Sequence, residues 1–147
     1  MNKKVGVGLV GSQFVSTIHA ESLKLVPDAA LLAVASPTEG HAREFAQHHG
    51  IPHFFTDVHD MLALKEIDMI VIGAPNIYHC DITVAAAKAG KHVVVEKPLC
   101  MNLAEADRMI EKGWVMVDGR IVVPGDRAAP NAEIRLSNEA EAQLDNA

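Results

Sequence analysis

Four short stretches carry residue types able to do chemistry. The first is Gly11-Ser12-Gln13-Phe14-Val15-Ser16, which ends one apolar run and opens a stretch with helical spacing. A turn of this kind presents backbone amides, and the helix dipole adds about half a positive charge, so it can hold a diphosphate. The usual dinucleotide fingerprint needs three glycines: for the tight turn, for close approach of the backbone, and for close helix–strand packing. Here only the first is glycine, and Gln13 and Ser16 stand at the other two places, where they crowd or reorient an anion. Read alone, the turn is equally an ordinary strand-to-helix connection. A literal G-x-G-x-x-G spans Gly6 to Gly11, but it lies inside the apolar run rather than after it, so it is not the fingerprint.

The second stretch is Ser36-Pro37-Thr38. NAD sites commonly place an acid here to bind the adenosine ribose hydroxyls. Neutral residues remove the repulsion that an acid offers to a 2′-phosphate, and Arg43, one turn later, is expected within reach of it. NADP therefore stays open beside NAD, and so does a plain helix-start loop. The third stretch is Gly73-Ala74-Pro75-Asn76. Pro75 fixes its own φ and pushes Ala74 towards extended geometry, which makes a wall for a flat ring. The fourth is Glu96-Lys97-Pro98, with two charges directly after three valines. Pro98 holds Lys97 extended, and a lysine so placed can give or take a proton from a substrate hydroxyl. A solvated ion pair at a strand end is the competing reading.

These stretches sit at the ends of apolar runs that alternate with helical segments. Strands are expected at Val5–Val10, Ala30–Ala35, His53–Phe55, Met69–Ile72 and His92–Val95. Helices are expected over Phe14–Leu25, Glu39–His49, Val58–Leu64, from Asn76 to Ala89, and Leu103–Lys112. Asp57, Asn76 and Asn102 are the expected caps, and Gly50 the expected stop of the second helix. Strands apolar on both faces and alternating with helices indicate a parallel sheet covered on both sides. The expected fold is α/β, a Rossmann-type doubly wound parallel sheet over residues 1–112. Residues 113–147 read as an extra strand or hairpin and a flexible tail. Asp118-Gly119 between Trp114–Val117 and Arg120–Val123 signals a hairpin, one strand of which is a candidate sixth strand of the sheet. Ser137–Ala147 is acidic and carries no evident chemistry.

Composition excludes several classes. A chain of 147 residues buries roughly two thirds of its unfolded surface and needs no disulfides to fold. Half of it is hydrophobic, which excludes a disordered chain. No apolar run approaches the roughly 20 residues of a membrane span. A net charge of −6 without a basic cluster argues against nucleic acid and anionic membranes. Cys80 and Cys100, outside any CxxC, fit a reducing cytoplasm. Neither has an evident partner that would make it a nucleophile. His48, His49, His53, His59 and Asp60 cluster in sequence, but adjacent histidines point apart on a helix and no ligand pair with an acid appears, so no metal site is expected.

Ala89-Gly90-Lys91-His92-Val93-Val94-Val95-Glu96-Lys97-Pro98, Ala74-Pro75-Asn76-Ile77-Tyr78-His79 and His19-Ala20 occur together and in order. In these segments the sequence resembles the Gfo/Idh/MocA oxidoreductases, named for glucose–fructose oxidoreductase, inositol dehydrogenase and a rhizopine-catabolism protein. The resemblance covers residues 4 to about 112. It implies a Rossmann domain for NAD or NADP and hydride transfer to or from sugars, inositols or related polyols. It implies that Gly11, Ser12, Gln13, Phe14 and Val15 lie under the pyrophosphate. Ser36, with Pro37 beside it, would face the adenosine ribose. Ala74, Pro75, Asn76 and His79 would line the nicotinamide side, with Glu96 near its ribose. Lys97 would assist proton transfer at the reacting carbon's oxygen. The family also has a second, mostly β domain with the substrate pocket, a further catalytic histidine and the oligomer interface. The 35 residues after Lys112 are too few for it, so the chain is expected to be catalytically incomplete alone. A cofactor-binding regulatory or accessory subunit and a non-functional truncation product are the alternatives. Homo-oligomerisation through exposed apolar surface is a further expectation.

Overall fold

The computed structural model describes residues 4–110 and three two-residue strands beyond them. The chain alternates β1 (Val5–Val10), α1 (Phe14–Lys24), β2 (Ala29–Ala35), α2 (Glu39–His49), β3 (His53–Phe55), α3 (Val58–Leu62) and β4 (Met69–Ile72). A 3-10 turn (Asn76–Tyr78), α4 (His79–Lys88), β5 (His92–Val95) and α5 (Leu103–Ile110) follow. The five strands form one parallel sheet in the order β3-β2-β1-β4-β5. Val7, Leu9, Val34 and Val71 point to one face, packing with Ala20, Phe45 and Ala46 of α1 and α2. Val10, Ala33, Ala35, Ile70 and Ile72 point to the other, packing with Met61 and Leu62 of α3 and Ala86 of α4. The strands are apolar on both faces because both are covered.

The glycines inside β1 serve packing. A Cβ on Gly6 would fall 1.8 Å from the Glu66 carbonyl oxygen, so the chain before β4 can approach only a glycine. The Asp68 carboxylate and amide then close on Gly6: its N–H donates to Asp68 Oδ2 and its carbonyl accepts from the Asp68 N–H, both at 2.8 Å. Buried Lys91 donates from Nζ to the carbonyls of Leu64 and Ile67, each at 2.8 Å, closing the loop that leads into β4.

Helix ends follow local chemistry. Gly50 is left-handed (φ 70°) and ends α2, and the Asp57 carboxylate accepts from the His59 N–H at the start of α3. Asn102 Oδ1 accepts from the Glu105 N–H, while Glu105 reaches back to the Met101 N–H. Asn76 is not a helix cap: the chain makes a 3-10 turn closed by Tyr78 N–H to Pro75 O (2.9 Å), and α4 starts at His79. α3 is two residues shorter than its apolar spacing suggests. Lys112 and the far ends of the expected hairpin, Trp114 and Val123, lie outside the described residues, as does Ser137–Ala147.

Beyond α5, β6 (Met116–Val117) pairs antiparallel with β7 (Arg120–Ile121). β6 also pairs with β8 (Ile134–Arg135), a strand that the Pro- and Gly-rich sequence around it does not suggest. These three form a separate sheet, so neither hairpin strand is the sixth of the parallel sheet.

Candidate functional site

The sheet runs outward from β1 in both directions, to β2 and β3 on one side and to β4 and β5 on the other. Connections leaving β1 and β4 therefore diverge, and a crevice opens outside their carboxyl ends. A cleft of about 880 Å³ lies there. The turn after β1 lines it with Gly11, Ser12, Gln13, Phe14 and Val15. The end of β2 contributes Ser36, Pro37 and Thr38, and the end of β4 contributes Gly73, Ala74 and Pro75.

Gly11 has φ 106°, and a Cβ there would meet the Gly73 carbonyl oxygen at 2.8 Å and Ser16 Oγ at 2.9 Å. Its N–H donates to Ala35 O at 2.8 Å, so the turn is anchored to the end of β2. Ser16 does not line the cleft: it is 1% exposed, beneath the turn, and its hydroxyl has no partner. Gln13, the N-cap of α1, makes no side-chain cap bond, and no acid stands in the first turn of that helix. The first amides of α1 have no acceptor within the helix and none from a capping side chain, which leaves them and the positive end of the dipole to the cleft. α2, α3, α4 and α5 each carry an acid in the first turn.

At the adenosine end expected from the sequence, Ser12 Oγ donates to Ser36 Oγ at 2.9 Å. Ser36 is buried, and its N–H donates to Phe55 O. Arg43 does not reach this corner. It pairs with Glu39, and its guanidinium carbon lies 5.6 Å over the Phe54 ring. His41 lines the cleft instead, together with Thr56, Asp57, Val58 and His59 from the connection after β3. Tyr78 and Ile82 complete the wall on the β4 side.

Asn76, His79, Glu96 and Lys97 do not line the cleft. Asn76 stands exposed on the 3-10 turn next to Pro75. His79 is wholly buried, with Nδ1 2.8 Å from Pro98 O and Nε2 2.8 Å from Ala74 O. The ring ties the end of β4 to the end of β5; a neutral imidazole donates to one carbonyl and an imidazolium to both. Glu96 Oε1 lies 2.8 Å from His19 Nε2 of α1, and Glu96 Oε2 accepts from the Lys97 N–H at 3.3 Å. The His19 bond, with the Lys97 amide, holds the Glu96 carboxyl below its ordinary value although burial pushes the other way. The Lys97 side chain is exposed, and the Lys97–Pro98 peptide is cis.

The remaining reactive groups have structural settings. Cys80 is buried against the Glu105 carbonyl, and burial raises its thiol, the opposite of what a nucleophile needs. Among the described residues no group of three His, Cys, Asp or Glu side chains could hold a metal ion, and no helix is long and apolar enough to cross a membrane.

Residues 5–113 match the Gfo/Idh/MocA group, described as an oxidoreductase family with an NAD-binding Rossmann fold. The chain is 38% identical over 106 residues to myo-inositol 2-dehydrogenase of Thermotoga maritima, covering 72% of this chain and 32% of that protein. It is 34% identical over 102 residues to an NADP(+) scyllo-inositol 2-dehydrogenase of Bacillus subtilis, covering 69% and 31%. The fold superposes on the crystal structure of Lactobacillus casei scyllo-inositol dehydrogenase with bound NAD(H) and scyllo-inositol, with a TM-score of 0.69 and 27% identity over 74% of this chain and 32% of that one. The chain thus spans about a third of the length of the relatives it matches.

Proposed function

The chain belongs to the Gfo/Idh/MocA oxidoreductase family, its matched residues being the NAD-binding Rossmann domain of that family, and on that premise we propose how its own residues hold NAD or NADP and what they do to a substrate. Residues 1–112 form the binding unit. Gly11 through Val15 cradle the pyrophosphate, Ser36 and Pro37 face the adenosine ribose, and Ala74 and Pro75 wall the nicotinamide. One observation carries the reading: the cleft at the switch point is floored by a glycine turn whose helix N-terminus has neither an acid nor a capping side chain. The turn itself requires glycine at this point, because Gly11 has φ 106° and a Cβ there would clash with the Gly73 carbonyl oxygen and with Ser16 Oγ beneath the turn, so a side chain would displace the amides that face the cleft.

The nicotinamide supplies a hydride acceptor or donor. Lys97 takes the proton of the substrate hydroxyl as the carbon is oxidised and returns it in reduction. Glu96 stays ionised beside it, and His19 holds Glu96 in place. Asn76 and His79 act at the nicotinamide end. His79 does so by joining the two loops that bear Ala74 and Pro98. The substrate class is sugars, inositols or related polyols. Lys97 stands exposed with nothing over it among the described residues, so turnover requires walls from a second unit that excludes water and orients the substrate. Two free thiols suit a cytoplasmic setting.

Isothermal calorimetry with NAD+, NADH, NADP+ and NADPH tests the cleft directly. Saturable binding of one coenzyme per chain is expected, and Gly11→Ala abolishes it. Flat titrations against all four, with circular dichroism showing folded protein, overturn the reading.

A further inference from the structure

The two cysteines take no part in the cleft and line none of it. We propose that Cys80 and Cys100 are a redox pair, which a small disulfide oxidant closes into a bridge between α4 and the loop that carries Lys97 and Pro98. Cys80 is the second residue of α4, and Cys100 stands in the loop between β5 and α5. Three bonds bracket the pair. His79, next to Cys80, holds its Nδ1 2.8 Å from Pro98 O, two residues before Cys100. Cys80 Sγ donates to Glu105 O at 3.6 Å, so the thiol points to the first turn of α5. Glu105 Oε2 in turn accepts from the N–H of Met101, the residue after Cys100, at 2.7 Å. The chain on either side of Cys100 is thus held by the neighbour of Cys80 and by the residue that Cys80 touches. Burial raises the Cys80 thiol most; Arg108 opposes it, and Asp81, Glu105 and Cys100 add to the rise. Cys100 therefore lies within electrostatic reach of Cys80.

Their difference in exposure sets the order of events. Cys80 is 2% exposed, whereas Cys100 is half-buried between exposed Leu99 and Met101. The Cys100 thiolate attacks one sulfur of the small disulfide, forming a mixed disulfide and releasing one small thiol. Cys80 then gives up its proton and attacks Cys100 Sγ, and the second small thiolate leaves and takes up a proton. Two protein thiols are oxidised to one disulfide, and one small disulfide is reduced to two thiols. The loop is exposed from Lys97 to Leu99, so it, rather than the buried start of α4, adjusts to the roughly 5.5–6 Å between Cα atoms that a bridge needs. Burial of Cys80 keeps a second chain from reaching it, which makes the bridge intramolecular. Both thiols are free in the structure, and in a reducing compartment such a pair stays open until the oxidant level rises.

Treatment of the folded chain with oxidised glutathione decides it, read by intact mass, thiol titration and non-reducing denaturing electrophoresis. The wild type is expected to lose two hydrogens and both titratable thiols, to carry no glutathione and to run as a single chain. Cys80→Ala should stop with one glutathione on Cys100, and Cys100→Ser should not react while folded. The urea midpoint of the oxidised wild type should lie above that of the reduced protein and return with dithiothreitol. A wild type that keeps glutathione on Cys100 with Cys80 free overturns the proposal. So does one that forms disulfide-linked dimers, or that closes the bridge only in denaturant. A bridge that lowers the midpoint overturns it as well, because the native loop then does not fit the bond. The wild-type mass settles the matter even where the variant at buried Cys80 fails to fold.

Discussion

Ser16 and Gly11 show how closely the phosphate turn is packed. Gly11 touches Gly73 across the turn, and Ser16 fills the space below both. The price of that filling is a hydroxyl that is 1% exposed and has no hydrogen-bond partner. A buried hydroxyl without a partner costs about 1–3 kcal/mol of desolvation, whereas a methyl group of similar shape costs nothing of the kind. Ser16→Ala is therefore expected to stabilise the protein by about 1 kcal/mol. A urea midpoint that rises at unchanged slope would show it, and a fall would mean that the hydroxyl has a partner in solution. The same residue shows where sequence reading stopped short. Ser16 stands at the place of the third fingerprint glycine, and spacing alone made it an obstacle to the anion. The structure puts it under the turn, as the packing role of that third position dictates. Only Gln13 faces the cleft of the two departures, and it is exposed.

At the scale of the elements, the bond from His19 to Glu96 links α1 to the end of β5. Glu96 is held below its ordinary value of 4.5, first by His19 and then by the Lys97 amide. A carboxyl depressed in the folded state contributes stability above its unfolded value, and that contribution is lost as pH falls through the folded value. His19→Ala removes the main cause. The variant should be less stable than the wild type at pH 6, and the gap should close as both are taken below pH 4.5 towards pH 3. Chemical denaturation at both pH values measures it; a gap that persists unchanged at pH 3 would assign the loss to packing. All five strands of the parallel sheet were legible because each run starts after a charge or a proline and ends at or within two residues of a glycine, a proline or a charge. The start of α4 was not. Pro75 precedes it, and the proline carbonyl draws the Tyr78 amide into a 3-10 turn before helical geometry begins. Periodicity reveals that a strand exists but not which strand lies beside it. The order β3-β2 brings Thr56 to His59 into the cleft, and nothing in the local sequence of that loop announces it. The same order explains Lys97. β5 lies two strands from β1, roughly 10 Å at the usual spacing, so its end stands clear of the phosphate turn.

On the whole molecule, the two ends of this arrangement differ in how they meet solvent. Both sheet faces are covered by helices, but β5 is paired only with β4 among the described residues. Val94 of that strand is 43% exposed. Leu99, Met101 and Leu103 follow it on the surface, with Leu103 at 84%. α1 exposes Ile18, and Phe14 at its start is 77% exposed. An unpaired edge beside apolar side chains is a template for another chain, and its association is opposed mainly by charge. The net charge of −6 makes copies of the chain repel at low ionic strength. Salt shortens that repulsion to about 10 Å at 0.1 M and about 3 Å at 1 M, while burial of apolar surface is left in force. Self-association should accordingly increase with both concentration and salt, and sedimentation velocity across that range measures it. Val94→Lys places a charge on the edge and should return the protein towards monomer without loss of fold. A wild type that sediments as a clean monomer at high concentration in 1 M salt would show that the edge of β5 is not available to a second chain.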